Sequence, residues 1–345
     1  MTTIEQSPGP ALDEQPTIGD RPALPLPRGP FSHALIGRLT MGTEIVPRPD
    51  RAAQSPDPLV DDDLQLGLHI IYELSYRGFR GIDDAFEWDD QVIALRRLLE
   101  QRFESSLRTT VGARGLVGDA RHVADVIRRF RGPSLSSYME RSGTAEQFRE
   151  FAVHRSAYQL KEADPHSWAI PRTTGPRKAA LVEIQMDEYG RGRPGASHAE
   201  LFADVLDSLG IDATYGVHVD ALPAVTLATG NLISMFGMQM RLRSALLGHL
   251  AGFEMTSVGP MTNYLLAAIR LGFDDRVQRF YDVHVEADHH HGALAADVLA
   301  APGSSSDTED SELLFGAAAM LVVEDRFARH LLHAWAHDRT SLRPT

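Results

Sequence analysis

From Asp61 onward, apolar residues recur at three- and four-residue spacing, and no period-two alternation survives beyond a few residues. DDDLQLGLHIIYELSYRG opens on aspartates, which suit a helix N-terminus, and stops at Gly78. WDDQVIALRRLLEQRFESSL repeats apolar residues at helical spacing. The pattern predicts further helices over ARHVADVIRRF, TAEQFREFAVHRSAYQLKEAD, GPRKAALVEIQMDEYG and SHAELFADVLDSLG. It does the same for the Ala221 to Gly272 region, for DDRVQRFYDVHVEADHHHGALAADVLA and from Asp310 to about Ala336. Breakers fall at Pro165, Gly190 to Gly195, Gly210, Gly259-Pro260 and Pro302-Gly303, each a plausible helix end. The fold class is therefore all-α.

Residues 1–58 carry prolines, small polar residues and scattered charges without periodicity, as a disordered or loosely docked arm would. The fold is expected to begin near Asp61, with an N-terminal helical extension over 59–140 and the main helical domain over 141–340. The longest uncharged stretch, Ala221 to Met240, has the length of a membrane span but contains Pro223, Thr226, Thr229, Gly230, Asn231, Ser234 and Gln239. It reads as a buried core helix, so no membrane partner is expected. The first residues lack a basic start followed by an apolar run, and a cytoplasmic location is the expectation.

Two features of composition narrow the chemistry. The 345 residues hold 34 Lys and Arg against 47 Asp and Glu, a net charge of −13, which disfavours a nucleic-acid partner. There is no cysteine, which removes disulfides, thiolate metal sites and cysteine nucleophiles. Any metal must be held by histidine and carboxylate. There is also no Walker loop and no nucleophile elbow, and the Gly-x-Gly at 190–192 lacks the strand of a dinucleotide site.

The segment His284-Val285-Glu286-Ala287-Asp288-His289-His290-His291 packs four histidines and two carboxylates into eight residues. At helical pitch His284, Asp288 and His291 fall within about 60° of one another, because their offsets are four and seven. Glu286, His289 and His290 fall on the opposite side, where plain solvent exposure explains His289 and His290. Glu286-x-x-His289 matches half of a ferritin-like di-iron signature, but no second Glu-x-x-His exists. The other stripe offers two imidazoles and a carboxylate, a set suited to non-heme iron.

Upstream, LKEADPHSW and EIQMDEYGRGRPGASHAEL place carboxylates at the ends of helical patterns, and His198 follows Glu188 by ten residues. If the chain stays near-helical or loops locally across GRGRPG, Glu188 and His198 reach one pocket, with Glu162 approaching from the preceding helix. His249 and Glu254 sit in an apolar region, as a structural pair or as groups near a site. Tyr158, one turn before Glu162, either faces the pocket or is a packed aromatic. Met235, Phe236, Met238 and Met240 read as core rather than channel, and Arg191 to Gly195 as a solvated turn or an anion contact. His69, His122, His154, His166, His218, His330, His333 and His337 read as solvated or core histidines.

Taken in order, Glu162, Glu188, His198 and His284-x3-Asp288-x2-His291 resemble the ligand pattern of the heme-oxygenase-like di-iron oxidases and oxygenases, the iron-containing redox enzymes. The likeness covers roughly Ala145 to Ala300, and YELSYRGF and FEWD resemble the N-terminal part of longer members. It implies a heme-oxygenase-like helical bundle without heme, with Glu162 on a first core helix, Glu188 and His198 on a second, and His284, Asp288 and His291 on a third. It also implies two Fe(II) ions with O2 as cosubstrate, N-oxygenation of amines or guanidines or oxidative C–C cleavage, an external electron donor and a homodimer. Asp187, Asp282 and Glu286 are candidates to orient the ligating imidazoles. A small amine or amino acid is the expected substrate, because a polar residue set lies near the proposed site; a fatty acid would need a long apolar tunnel. The competing reading is a metal-free binding or scaffold protein of the same fold.

Overall fold

The computed structural model describes residues 21–45, 55–301 and 307–344. The expectations for residues 1–20 and 46–54 of the arm lie outside the described residues. Among the described residues there is no β-strand, and no helix is long and apolar enough to cross a membrane.

The fold does not wait for Asp61. Helix α1, Pro30–Met41, starts with proline at its first position and buries Phe31, Leu35 and Leu39. Its N-terminus is capped from helix α2, Asp62–Glu73: the Asp63 carboxylate accepts the backbone N–H groups of Phe31 (2.7 Å) and Ser32 (2.8 Å) and the Ser32 hydroxyl (2.6 Å). A cap supplied by a residue more than thirty positions away leaves no local signature, which is why the proline-rich context hid this helix. That part of the expected arm is a docked helix.

Then follow α3 (Asp90–Ala113), α4 (Val123–Arg129), α5 (Leu135–Ser142), α6 (Ala145–Gln159), the short α7 (Asp164–Ser167), α8 (Gly175–Glu188) and α9 (His198–Ser208). The chain closes with α10 (Ala224–Met238), α11 (Arg243–Leu271), α12 (Asp275–Leu294) and α13 (Asp307–Trp335). Side chains of α1 to α3 share one buried cluster with α10, α11 and α13, so the N-terminal helices complete the core of the bundle. The Ala221 to Gly272 region splits into α10 and α11 at Gln239. The expected break at Gly259-Pro260 does not occur, since α11 runs through Pro260. Met261, Tyr264, Ala267 and Ala268 beyond it are buried, and this packing outweighs the proline's missing donor.

Helix α11 is the axis of the bundle, with α12 along one side and α13 along another. The α11–α13 contact is close enough to require glycine. A Cβ on Gly248 would lie 1.8 Å from the Leu313 carbonyl oxygen, and one on Gly316 1.9 Å from that of Ala245. The Met235 and Phe236 side chains are fully buried in the core, as read, and Met240 is exposed.

Candidate metal centre

The α12 stripe is where helical spacing places it. His284, Asp288 and His291 are buried, while Asp282, Glu286, His289 and His290 are exposed. The outward residues take no part in the centre; His290 Nε2 meets Glu183 on the surface at 2.7 Å. Asp274 starts the helix by accepting the backbone N–H groups of Arg276 (3.1 Å) and Val277 (3.3 Å).

The other three predicted ligands stand at helix ends, which corrects their assignment to positions within core helices. Glu162 lies in the turn after α6, before Ala163 at φ 74°. Glu188 is the last residue of α8 and His198 the first of α9. Between them, Gly190, Arg191, Gly192 and Gly195 all adopt positive φ, which reverses the chain locally. Ser197 and Glu200 then form a capping box, with the Ser197 hydroxyl donating to Glu200 Oε2 at 2.6 Å. The loop therefore does what ten residues of helix would not: it brings His198 Nδ1 to 2.8 Å from Glu188 Oε2.

Two groups of donor atoms result. Glu162, Glu188, His198 and His284 offer ligand atoms that all lie within 4.8 Å of one another, and so do Glu188, Glu254 and His291. Glu188 belongs to both, as a carboxylate joining two ions would. Five of the six predicted residues are thus gathered. Asp288 is buried beside them, its Oδ1 3.9 Å from His291 Nδ1, but it belongs to neither group as drawn. Glu254, from α11, takes that place, with Oε2 3.5 Å from His291 Nδ1. Its charge in an apolar stretch was the signal available in the sequence. His249 is not its partner: that ring meets His166 at 3.2 Å instead.

Orphaned atoms decide what this arrangement suits. Glu162 Oε2, Glu188 Oε2, His198 Nδ1, His284 Nε2, Asp288 Oδ2 and His291 Nδ1 are all buried without a hydrogen-bond partner. The 2.8 Å approach of His198 to Glu188 is included, because the two atoms converge on common space without hydrogen-bond alignment. Each such group costs about 1–3 kcal/mol when left unsatisfied, so six together call for a cation. The imidazoles are also oriented. His284 Nδ1 meets the Phe280 carbonyl at 2.7 Å and His291 Nε2 meets Asp187 Oδ2 at 3.0 Å, leaving the opposite nitrogen of each ring facing the cluster.

Protonation follows from the crowding of charge. Burial lowers the His284 and His291 imidazolium pKa values, but neighbouring carboxylates outweigh it. Glu162, Glu188 and Asp288 bring His284 to about 10, and Glu254, Asp187 and Glu188 bring His291 to about 9. For Glu188, burial acts upward, yet His198, His284 and His291 bring the carboxyl down to about 2. Burial, with the charges of Glu188 and Asp288, raises Glu254 to about 7 against the pull of His291.

A cavity of about 320 Å³ adjoins the centre. Tyr158, Phe253, Ser257 and Met261 line both spaces, so Tyr158 does face the site. Arg191 does not: it is exposed and pairs with Asp187 at 2.5 Å.

The sequence profile of iron-containing redox enzymes matches residues 149–325, which include all six predicted ligands and Glu254. Nitrosourea synthase from Streptomyces achromogenes subsp. streptozoticus is 25% identical over 146 residues, 41% of this chain and 30% of that protein. The chain thus matches less than a third of that relative's length.

Proposed function

The chain belongs to the iron-containing redox enzyme family, matched over just over half its length, and on that premise we propose that it is an O2-dependent non-heme di-iron oxidase or oxygenase of a small organic substrate. The observation that carries this reading is the set of six buried, partnerless donor atoms arranged as two groups around Glu188. Glu162, His198 and His284 would hold one ion, Glu254 and His291 the other, and Glu188 both, with Asp288 within reach. Bound there, two ferrous ions supply the electrons and Lewis acidity that O2 reduction requires.

The protein's own contribution is enclosure and orientation. Phe253 and Met261 line the junction of centre and cavity with apolar surface that keeps water from the reacting side. The Phe280 carbonyl and the Asp187 carboxylate hold the two rings of α12 in the tautomer that presents a lone pair inward. A substrate in the cavity would lie against the centre along Tyr158, Phe253, Ser257 and Met261, which line both spaces. The match to nitrosourea synthase, whose name describes a nitrogen-rich product, supports chemistry at nitrogen; on that ground an amine or amino acid is the proposed substrate, with N-oxygenation ahead of oxidative C–C cleavage. The metal-free scaffold reading would leave six buried donor atoms without hydrogen-bond partners.

The test is iron stoichiometry after anaerobic Fe(II) loading of metal-free protein and removal of loosely held metal. The expected result is close to two irons per chain, with oxygen uptake on exposure to air; Glu188→Ala should drop retention below one. Near-zero iron on a folded wild-type chain would sink the reading.

A further inference from the structure

The cavity beside the centre has an uneven inventory. Phe151, Phe202, Tyr264, Phe280 and Phe327 give it aromatic walls. Its charged lining residues are Arg155, Glu324 and Asp325, and each is already engaged. Both terminal nitrogens of Arg155 donate to Glu324, at 3.0 and 2.7 Å, and its guanidinium lies over the Phe327 ring at 4.5 Å. Asp325 accepts from Arg114 at 2.7 Å and Arg329 at 3.0 Å. No lining cation is thus free to receive a carboxylate. Two lining residues do carry buried polar atoms without a partner: the Gln159 side-chain oxygen and the Tyr281 hydroxyl.

Resting on the reading of this cavity as the substrate site, we propose that it selects an amine with an aromatic or bulky hydrocarbon body and no carboxylate, its N–H groups received by Gln159 or Tyr281. The physical reason is a difference of desolvation. An ammonium group entering this space meets acceptors and the negative faces of aromatic rings. A carboxylate would be stripped of water with no unpaired cation to receive it, since Arg155 is held by Glu324, and Arg114 and Arg329 by Asp325. This narrows an amine-or-amino-acid substrate to the amine alone, and it makes Gln159 and Tyr281 specificity-determining residues.

The experiment is calorimetric titration of the full chain, metal-free and after anaerobic Fe(II) loading, with phenethylamine and with L-phenylalanine, which adds only the carboxylate. Phenethylamine is expected to bind at least about tenfold tighter than phenylalanine in both metal states. Gln159→Leu and Tyr281→Phe should each weaken amine binding about five- to tenfold, with circular dichroism unchanged. Glu324→Gln releases Arg155 and should reverse part of the discrimination by raising phenylalanine affinity. Equal or tighter binding of phenylalanine, no saturable binding of phenethylamine, or unchanged amine affinity in both the Gln159 and Tyr281 variants overturns the proposal. Iron count and oxygen uptake are read separately. Amine selectivity in a chain that retains no iron would uphold the pocket assignment while the oxygenase reading fails.

Discussion

Of the six ligands expected from the sequence, half ride on one unbroken helix and half stand on helix ends, and the two halves hold their shape by different means. On α12 the relative positions of His284, Asp288 and His291 follow from helical pitch, and the backbone between them is regular. Glu162, Glu188 and His198 depend on turns in which Ala163, Gly190, Arg191, Gly192 and Gly195 take positive φ. Strain and capping therefore do for one half what the helix ladder does for the other. The consequence is that backbone changes should damage the helix-end half far more than the α12 half.

A matched pair of glycine substitutions tests this most severely. In Gly190→Ala the new Cβ would sit 2.4 Å from the Ala196 carbonyl carbon at φ +63°, so the loop must move and Glu188 with it. The expected cost is about 2–4 kcal/mol, with iron retained on desalting falling well below the wild-type level. Gly292→Ala on α12 brings its Cβ 3.2 Å from the Glu254 carbonyl oxygen, a contact relieved by a few tenths of an ångström. Alanine's helix-propensity advantage of about 1 kcal/mol offsets part of the overpacking, so the cost should stay below about 2 kcal/mol and iron content should be nearly intact. Similar iron loss in both variants would erase the distinction between the halves.

The next effect touches side chains rather than backbone. Asp187→Asn removes the ionised acceptor of His291 Nε2, 3.0 Å away, and should lower metal affinity about 10- to 100-fold. Competition with a chelator of known affinity reads it directly. The corresponding support of His284 is a backbone carbonyl, which no side-chain substitution removes.

Protons distinguish the α12 imidazoles from Glu188. In the metal-free protein His284, brought to about 10, and His291, brought to about 9, are both protonated at neutral pH. Glu188, at about 2, is already ionised. An imidazolium cannot ligate, so metal loading must displace protons from α12 but none from Glu188. Apparent affinity should rise with pH through the neutral range and level off above about 10, with proton release measured in weakly buffered solution. The sign is the same for folding. Raised histidine pKa values stabilise the metal-free fold below the unfolded value of about 6.5, and that contribution fades as pH climbs through 9 and 10.

The difference between the halves also explains what could be read from the sequence. Helical period alone put His284, Asp288 and His291 on one face, and the structure buries that face. Nothing periodic joins Glu162 to Glu188 and His198. Their order along the chain was visible through a family likeness, while the turns that unite them depend on glycine conformations that spacing does not specify. Glu254 was conspicuous only as a charge in an apolar stretch, because its relation to His291 arises where α11 meets α12, far apart in sequence. Helix α1 stayed hidden for the same reason, since its cap is Asp63.

The smallest expected effect is also the finest comparison. Ser197 caps α9 immediately before His198, and Asp274 caps α12 ten residues before His284. Replacing either by alanine should cost about 1 kcal/mol of stability, a melting shift of only about 1–2 °C for a chain of this size. Equal stability losses do not imply equal effects on the metal. Fraying the first turn of α9 releases His198 itself, so Ser197→Ala should weaken metal affinity severalfold. Fraying the first turn of α12 leaves about one and a half further turns of helix before His284, and Phe280 and Tyr281 there remain packed, so Asp274→Ala should leave metal affinity unchanged. If both variants lose affinity alike, the metal reports global stability and the two halves are one mechanical unit; if only Ser197→Ala does, the helix-end half is held locally, by its caps and turns.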